Sequence, residues 1–368
     1  MKKQDPKKDI EEFVDEHAAA VHAENERIAR LNRVLRAELG AEREKATAAQ
    51  AELGALEKTL TLYERSFADR PEWLLPGKKT EPGRATLIPV LSDIHAGEVV
   101  RPAELDGYNK YDLHIAEIRL ERFFSRTIAM ARSWSAYRYD GAVLAVGGDL
   151  VSGDIHDELS ETNECSTYDA VLWLVPRIAA GVELLRKAFG RVHIASAPGN
   201  HGRDSKIPRY KGRSAHNADT LVMRLVAREL AKVEGITFEI PDGLDAWFEI
   251  YGFGFSIEHG DELARSFSGT AEIGVLGPLQ RGSNRKKVAL ATQGRSLELA
   301  LWGHFHQLTP VPSRGFCANG SVKGHDEYAR GLKLRPEPPQ QALLVCVPDF
   351  GVVLPAPVPV ADRKAEQW

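Results

Sequence analysis

The chain is organised around the pentapeptide Leu91-Ser92-Asp93-Ile94-His95. An apolar run from Leu87 to Leu91, interrupted only by Pro89, leads directly into an acid and a histidine two residues apart. Such a run predicts a buried strand, and the carboxyl edge of a sheet is where α/β proteins place their functional sites. One Asp-x-His triplet is weak evidence by itself, so the rest of the chain decides whether this is a site.

The composition describes a chain that can bury a full core and still carry an appendage, with 368 residues of which 43% are hydrophobic. A net charge of −4 excludes a global basic field for nucleic acid but leaves a local basic patch open. Three well-separated cysteines favour a reducing compartment and argue against a thiolate zinc site. The N-terminus lacks an apolar signal segment, and no apolar run approaches ~18 residues. We therefore expect a cytoplasmic protein without membrane association.

Residues 9–65 contain no proline and are rich in Ala, Glu, Arg and Leu, which predicts a long helix. Apolar residues recur every seven positions, and the series resumes after a four-residue stutter of the kind coiled coils tolerate. Polar companion positions and two glycines, Gly40 and Gly54, weaken this pattern. We expect segment 1–68 to form a homo-oligomeric coiled coil; the alternative is a helix that packs on its own domain or stays single. The heptad positions are Val14, Val21, Ile28 and Leu35, then Leu39, Ala46, Leu53 and Leu60.

Segment 69–85 is rich in Pro, Gly and Lys and is predicted to be a linker, and 361–368 is predicted to be a polar tail. Between them, over 86–360, strand-like apolar runs alternate with helical patterns, which predicts a layered α/β domain. After the first run, the predicted strands are 142–146, 192–195, 253–257, 297–301, 343–347 and 351–354. The predicted helices are 116–132, 170–189, 219–233 and 279–291.

Four later strand ends also finish in residues that can bind metals. Each could be structural on its own, since glycine and asparagine form turns and a single histidine is usually a satisfied core residue. In the last of the four, two histidines would lie on one side of an extended segment because side chains alternate with period two. The four stretches are Gly147-Gly148-Asp149, Pro198-Gly199-Asn200-His201, Ile257-Glu258-His259 and Gly303-His304-Phe305-His306.

In this order the five motifs resemble those of the calcineurin-like metallophosphoesterases, over about residues 86–360. The resemblance implies a layered α/β metallophosphoesterase sandwich, here preceded by the long helix, and a metal-dependent phosphoric ester hydrolase. In such enzymes a metal-bridging hydroxide attacks phosphorus in line. Imidazole and oxygen ligands fit Mn, Fe, Zn or Ni better than Mg or Ca, and we favour Mn. The resemblance implies one metal on Asp93, His95 and His306, a second on Asn200, His259 and His304, Asp149 as the bridge, and His201 as general acid or stabiliser of the leaving oxygen.

Gly202-Arg203 stands where many relatives carry an acid after Gly-Asn-His, which disfavours the protein phosphatase branch. Three wider strings resemble a subgroup encoded by bacteriophages and prophages, often described as DNA repair exonuclease-like. They are 199–203 (Gly-Asn-His-Gly-Arg), 319–324 (Asn-Gly-Ser-Val-Lys-Gly) and 338–343 (Pro-Pro-Gln-Gln-Ala-Leu).

Basic residues follow the Gly-Asn-His motif directly. Arg203 and Lys206 open a run that would usually be a solvated face, but its position beside the implied phosphate site favours substrate binding. His156 could reach the same side or be a plain loop residue. Aromatic residues are not obviously interleaved, so single-strand recognition is not indicated. The run continues with Arg209, Lys211 and Arg213, and a second cluster holds Arg281, Arg285, Lys286 and Lys287.

Three functions remain open. The first is a dimetal phosphodiesterase or nuclease acting on DNA, since two basic segments would suit a phosphodiester backbone. The second is a phosphatase or phosphodiesterase of nucleotides or other small phosphoesters. The third is a non-catalytic phage assembly or scaffold protein whose helix recruits partners.

Overall fold

The computed structural model describes residues 6–68, 83–134, 136–265 and 276–366. The chain divides into two compact units, residues 1–80 and 81–368. Most of the predicted linker lies outside the described residues, and the first strand of the second unit begins at Gly83. Across the described ranges, no helix combines the length and apolar character that crossing a membrane requires.

The first unit is one helix, α1 (Pro6–Ala68), which confirms the predicted long helix. Gly40 and Gly54 lie within it without interrupting it. The heptad residues whose side chains are described, such as Val21 and Leu35, are largely exposed on the single chain. An exposed apolar series on a long helix is what a partner helix would cover. The coiled coil itself stays a prediction.

The second unit contains eleven strands and seven further helices among its described residues. The strands are β1 (Gly83–Leu91), β2 (Tyr137–Val146), β3 (Val192–Ser196), β4 (Ile236–Glu239), β5 (Asp245–Ile250), β6 (Phe253–Glu258), β7 (Leu299–Trp302), β8 (Thr309–Val311), β9 (Phe316–Ala318), β10 (Gln340–Val347) and β11 (Gly351–Pro359). The helices are α2 (Leu113–Ser133), α3 (Asp157–Thr162), α4 (Thr167–Phe189), α5 (Ala218–Glu229), α6 (Asp261–Arg265), α7 (Leu276–Ala291) and α8 (Glu327–Gly331).

Two mixed sheets form the centre of this unit, in the orders β11-β10-β1-β2-β3-β4 and β5-β6-β7-β9-β8. Their inner faces share one apolar cluster, in which Val90 and Ala145 of the first sheet join Ile257 and Leu301 of the second. Helices α2, α4 and α5 bury their apolar faces on the outer side of the first sheet. Leu279 of α7 packs with the second sheet. The predicted layered α/β fold is confirmed, as an α/β/β/α arrangement.

The strand register brings the five motif-bearing loops to common edges. β1, β2 and β3 are parallel, and Leu91, Val146 and Ser196 stand side by side at their ends. β6 and β7 are also parallel, and Glu258 pairs with Trp302 at their ends. Because parallel strands finish at one edge of a sheet, the loops that follow them are neighbours.

The sequence reading missed the short elements β4, β5, β8, β9, α3, α6 and α8. Their physical signal is weak: β4 has four residues, none of them fully buried, and β8 and β9 have three residues each. Gly282, which weakened the helix prediction for 279–291, lies inside α7. A Cβ there would come within 2.7 Å of the Leu263 side chain, so glycine permits that close packing.

A buried ion pair fastens the end of the chain to α2. Arg119 and Glu366 are both fully buried, with Nη2 and Oε2 2.9 Å apart, and Arg122 also contacts Glu366. Nη1 of Arg119 donates to the carbonyls of Val322 (2.9 Å) and Lys323 (2.6 Å). One guanidinium thus joins α2, the C-terminal residues and the segment before α8.

We predict that Arg119→Leu lowers the free energy of unfolding by about 3 kcal/mol, because it removes the fully buried one of the two cations that pair with the Glu366 carboxylate. Urea denaturation followed by tryptophan fluorescence measures this change. Arg132→Leu, an exposed position on the same helix, is the matched control and should change stability by less than about 0.5 kcal/mol. Equal effects of the two substitutions would contradict the role assigned to the ion pair.

Candidate metal centre

The loop after β1 places Asp93 and His95 in the interior, where both are almost completely buried. Its backbone is held by the loop after β2, because the amides of Asp93 and His95 donate to the carbonyls of Gly148 and Asp149, both at 3.0 Å. The loops after the first two strands therefore have a fixed mutual geometry.

The backbone is strained at the predicted ligands. Non-glycine residues in the left-handed region are uncommon and cost of order 1–3 kcal/mol each. In the described chain eight non-glycine residues have positive φ, and five of them are predicted metal ligands. Strain concentrated in this way is typical of a functional site rather than of turns in general. The five are Asp93 (54°), His95 (52°), Asp149 (49°), His304 (68°) and His306 (52°).

The potential ligand atoms form two neighbouring groups. In the first, Nε2 of His306 lies 3.2 Å from Oδ1 of Asp93 and 3.3 Å from Nε2 of His95. In the second, Nε2 of His259 lies 2.9 Å from Oδ2 of Asp149 and 3.0 Å from Oδ1 of Asn200.

His304 completes the second group, with its ring centroid 5.0 Å from that of His259. Asp149 connects the two groups, since its Oδ2 is also 3.9 Å from Nε2 of His95. All seven predicted ligands therefore converge on one place.

Two glycines of the motifs, Gly148 and Gly199, lie so close to neighbouring atoms that a side chain would not fit there. A Cβ on Gly148 would lie 2.3 Å from the amide nitrogen of Gly199, and one on Gly199 would lie 2.1 Å from Oδ1 of Asp149. The loops after β2 and β3 thus touch through their backbones, which brings Asn200 and His201 against Asp149.

Hydrogen bonds orient the rings. Nδ1 of His259 lies 2.7 Å from the carbonyl oxygen of Gly147, which assigns the proton to Nδ1 and leaves Nε2 facing Asp149 and Asn200. Nδ1 of His201 lies 2.8 Å from the carbonyl oxygen of Ser152, so its Nε2 is at the other end of the ring. Nδ1 of His95 faces Oε2 of Glu98 at 3.2 Å, an ion-pair distance without hydrogen-bond geometry.

The pKa shifts of the predicted ligands indicate that this site favours a bound positive charge. Burial raises the pKa of the Asp149 carboxyl, but His259 and His201 outweigh it and hold that pKa well below its usual value. Burial lowers the pKa of His259, yet the charge of Asp149 raises it to about 10. Burial, reinforced by His259, lowers the pKa of His304 to about 4.

Buried carboxylates need paired or coordinated cations. With imidazole, carboxylate and amide donors and no thiolate, the residues present fit divalent metal ions.

Asp219 is a site residue that sequence reasoning missed. Its buried carboxylate accepts hydrogen bonds from the amides of Asp149 and Gly199, both at 2.9 Å, and from those of Leu150 and Val151 at 3.0 and 3.3 Å. Asp219 therefore holds the loops after β2 and β3 together through hydrogen bonds from their backbone amides. In sequence it sits in the first turn of α5, where an acid predicts only favourable helix electrostatics.

A second missed group supports the β1 loop. The Lys323 ammonium is buried and donates to Oε1 of Glu98 at 2.8 Å and also contacts Asp326, while Glu98 faces His95. Ser321 donates to the carbonyl of Asp93, so the 319–324 string that carried the family resemblance serves to position the first two ligands.

Gln341, from another of those strings, accepts from the Ser92 amide at 2.8 Å. It therefore holds the residue directly before Asp93.

The three residues predicted to bind substrate lie near His201, but two of them, Arg203 and Lys206, already bind other groups of the protein. The Arg203 guanidinium donates to the backbone carbonyls of Asn200, Ser205 and Lys206. Lys206 pairs with Asp157, beside His156, whose ring centroid is 6.1 Å from that of His201. Substrate binding by these residues stays a prediction. In the second basic cluster, Lys286 is paired with Asp245 and Glu258, each at 2.8 Å, so it supports the fold.

No family model and no curated protein matches this sequence. Among solved structures, a dimetal phosphatase from Danio rerio matches with 10% identity, covering 75% of this chain and 99% of that one, with a TM-score of 0.36. A predicted phosphoesterase from Streptococcus pneumoniae matches with 11% identity, covering 74% and 97%, with a TM-score of 0.28. A Vps29 single mutant from Entamoeba histolytica matches with 14% identity, covering 74% and 98%, also with a TM-score of 0.28.

We predict that the chelator-treated, reloaded protein retains two equivalents of Mn²⁺ and that Asp149→Asn retains fewer than one. Asp149 is the carboxylate that faces both groups, so its neutralisation should weaken both. Metal content after dialysis, measured by atomic emission, checks this. His22→Ala, on an exposed histidine of α1, should retain the full complement. Full retention by Asp149→Asn would exclude the shared ligand.

We further predict that Asp219→Asn destabilises the fold by about 1–3 kcal/mol, because one amide oxygen cannot accept from four buried N–H groups. It should also lower metal affinity by displacing Asp149. Chemical denaturation and metal titration measure the two effects. The control is Asp242→Asn, an exposed acid that pairs only with Arg224 at the surface in the described chain, and it should change neither quantity. If both variants behave alike, Asp219 does not organise the centre.

Proposed function

We propose that this protein is a dimetal phosphodiesterase that cleaves DNA. The observation that carries the proposal is the position of Asp149, whose Oδ2 lies 2.9 Å from Nε2 of His259 and 3.9 Å from Nε2 of His95. One buried carboxylate therefore faces two separate groups of nitrogen and oxygen ligands, which is the arrangement that a pair of cations needs.

Two divalent metals, with Mn favoured, would be held by the two groups. Asp93, His95 and His306 belong to the first, and Asn200, His259 and His304 to the second, with Asp149 shared. When bound, such metals neutralise phosphoryl charge and lower the pKa of water near neutrality. Two carboxylates against two dications leave a net charge of about +2, which suits an anionic ester.

His201 is the residue we assign to proton transfer. Its backbone amide donates to Oδ1 of Asp149 at 2.7 Å, and its ring lies 4.5 Å from that of His95. Because Nδ1 is held by the Ser152 carbonyl, Nε2 is the atom left to act. The protonated ring would donate from Nε2 to the leaving oxygen as the ester bond breaks.

The carboxylates lie at the buried bottom of the candidate metal centre. Its solvent-facing edge, which we call the rim, is formed by three half-buried histidines, His201, His304 and His306. A rim that reaches solvent admits a long substrate, and the basic run after His201 adds positive charge beside it.

The two alternative functions, hydrolysis of small phosphoesters and a non-catalytic assembly role, predict different results in the same activity assay. The strained backbone at five predicted ligand positions supports a catalytically active metal centre over the inactive one that a non-catalytic assembly protein would carry.

We also propose that the protein is a homo-oligomer through α1. The exposed heptad residues of that helix, among them Ile28 and Leu53, support pairing with a second copy.

We predict Mn-dependent cleavage of DNA and of bis(4-nitrophenyl) phosphate, tested beside 4-nitrophenyl phosphate, RNA and nucleotides. His201→Ala should lower kcat by about 10²–10⁴-fold because it removes the proton donor. Asp149→Ala should reduce cleavage to background, while His114→Ala, an exposed histidine on α2, should match the wild type.

Turnover of monoesters and nucleotides alone would favour the small-ester function. Absence of turnover with metal bound would favour the assembly role.

A further inference from the structure

The segment between His201 and α5 forms a closed loop, residues 204–216, which we call the 204–216 loop. Its ends are joined by the Asp204 amide, which donates to the His216 carbonyl at 3.2 Å, and by Oδ2 of Asp204, which lies 2.7 Å from Nδ1 of His216. Arg203 and Asn217 form a bridge just outside it. A loop closed at its neck holds its tip in a defined place at little entropic cost on binding.

The 204–216 loop and Arg203, the residue directly before it, contact the candidate metal centre at two places. Nη1 of Arg203 donates to the carbonyl of Asn200, a predicted ligand, at 2.8 Å. Arg213 forms an ion pair with Asp261, two residues after His259. One small cavity is lined by Asn200, Asp261 and Arg209, so the loop's basic residues begin at the edge of the centre.

The tip of the loop exposes apolar groups. Ile207 is 79% exposed and Tyr210 is 75% exposed. Arg209 and Lys211 flank Tyr210 in sequence and are exposed as well. Large exposed apolar side chains are ordinary when scattered singly, but here two of them share a fixed loop with basic residues beside a candidate active site.

The charges of the loop divide into two kinds. Lys206 and Arg213 are neutralised by Asp157 and by Asp261 with Glu262. Arg209 and Lys211 have no ion-pair partner among the residues that the structure describes. The unpaired positive charge of the loop is therefore carried by the two residues that flank Tyr210 in sequence.

We propose that the tip of the 204–216 loop binds single-stranded nucleic acid, with the Tyr210 ring stacked on a base and Arg209 and Lys211 on the adjoining phosphates. An aromatic face accepts any unpaired base, and neighbouring cations follow the backbone. The sequence reading, which found no interleaved aromatic residue, is revised by the exposure of Tyr210. The inference rests on the proposed function and names its substrate as a strand with unpaired bases next to the metal centre.

The test is the affinity of the full-length protein for a fluorescein-labelled 20-nucleotide oligothymidine, measured by anisotropy in EDTA so that no cleavage occurs. Tyr210→Ala should weaken binding by about 5- to 100-fold, as expected from the loss of one stacked base. Tyr210→Trp should restore it. Tyr328→Ala, which removes an equally exposed tyrosine of α8, should bind like the wild type.

Two further measurements separate stacking from charge. The Arg209→Ala/Lys211→Ala double variant should reduce the slope of log K against log salt by about 1.4, since each phosphate contact on a single strand contributes about 0.7. A 20-base-pair duplex should bind Tyr210→Ala and the wild type alike, because its bases are already stacked.

No binding by the wild type, or equal binding by Tyr210→Ala and Tyr328→Ala, would overturn the inference. Hydrolysis of bis(4-nitrophenyl) phosphate by the wild-type protein is recorded in parallel. If that activity is present while Tyr210→Ala leaves oligonucleotide affinity unchanged, the loop assignment fails and the proposed function stands. If the activity is absent with Mn²⁺ bound, the proposed function itself fails.

Discussion

Two carboxylates, Asp93 and Asp149, lie buried at the ends of adjacent parallel strands, and the rest of the site follows from the need to balance their charge. An ionised group removed from water must be paired with a cation or coordinate one. Histidines from four other loop positions, together with the Asn200 amide, surround the pair. Burial lowers the pKa of the neighbouring His259, but the charge of Asp149 outweighs it and raises that pKa to about 10.

The predicted ligands are held in place by other buried polar groups, which form two separate sets. Asp219 fixes the loops after β2 and β3 through four backbone amides. Lys323 holds Glu98 against His95, and Arg119 holds the Val322 and Lys323 carbonyls. Glu366 in turn neutralises Arg119. Glu366 is thereby connected, through Arg119, Lys323 and Glu98, to the predicted ligand His95.

The candidate functional residues lie on the loops that follow the strands, whereas the facing sides of the two sheets are apolar. The shared core between the sheets sets the distance between the β1–β3 loops and the β6–β7 loops. The 204–216 loop, whose ends are joined by Asp204 and His216, lies next to the candidate centre and exposes Ile207 and Tyr210. In the function proposed above, the centre would position the reacting bond and the loop would hold an adjoining part of the substrate.

The sequence by itself determined the layered α/β class and the long N-terminal helix, because strands and helices leave a local periodicity. It also singled out five stretches of metal-binding residue types after strand ends, from which the family resemblance implied the seven candidate ligands. It did not determine the role of Asp219, whose partners lie 20 to 70 residues away, nor the pairing of Lys323 with Glu98, 225 residues apart. Nor did it show that Arg203 would turn toward backbone carbonyls while Tyr210 faced solvent, since both sit in one polar run. Only the tertiary structure decided these points, because burial and pairing are properties of residues brought together across the chain and not of neighbours along it.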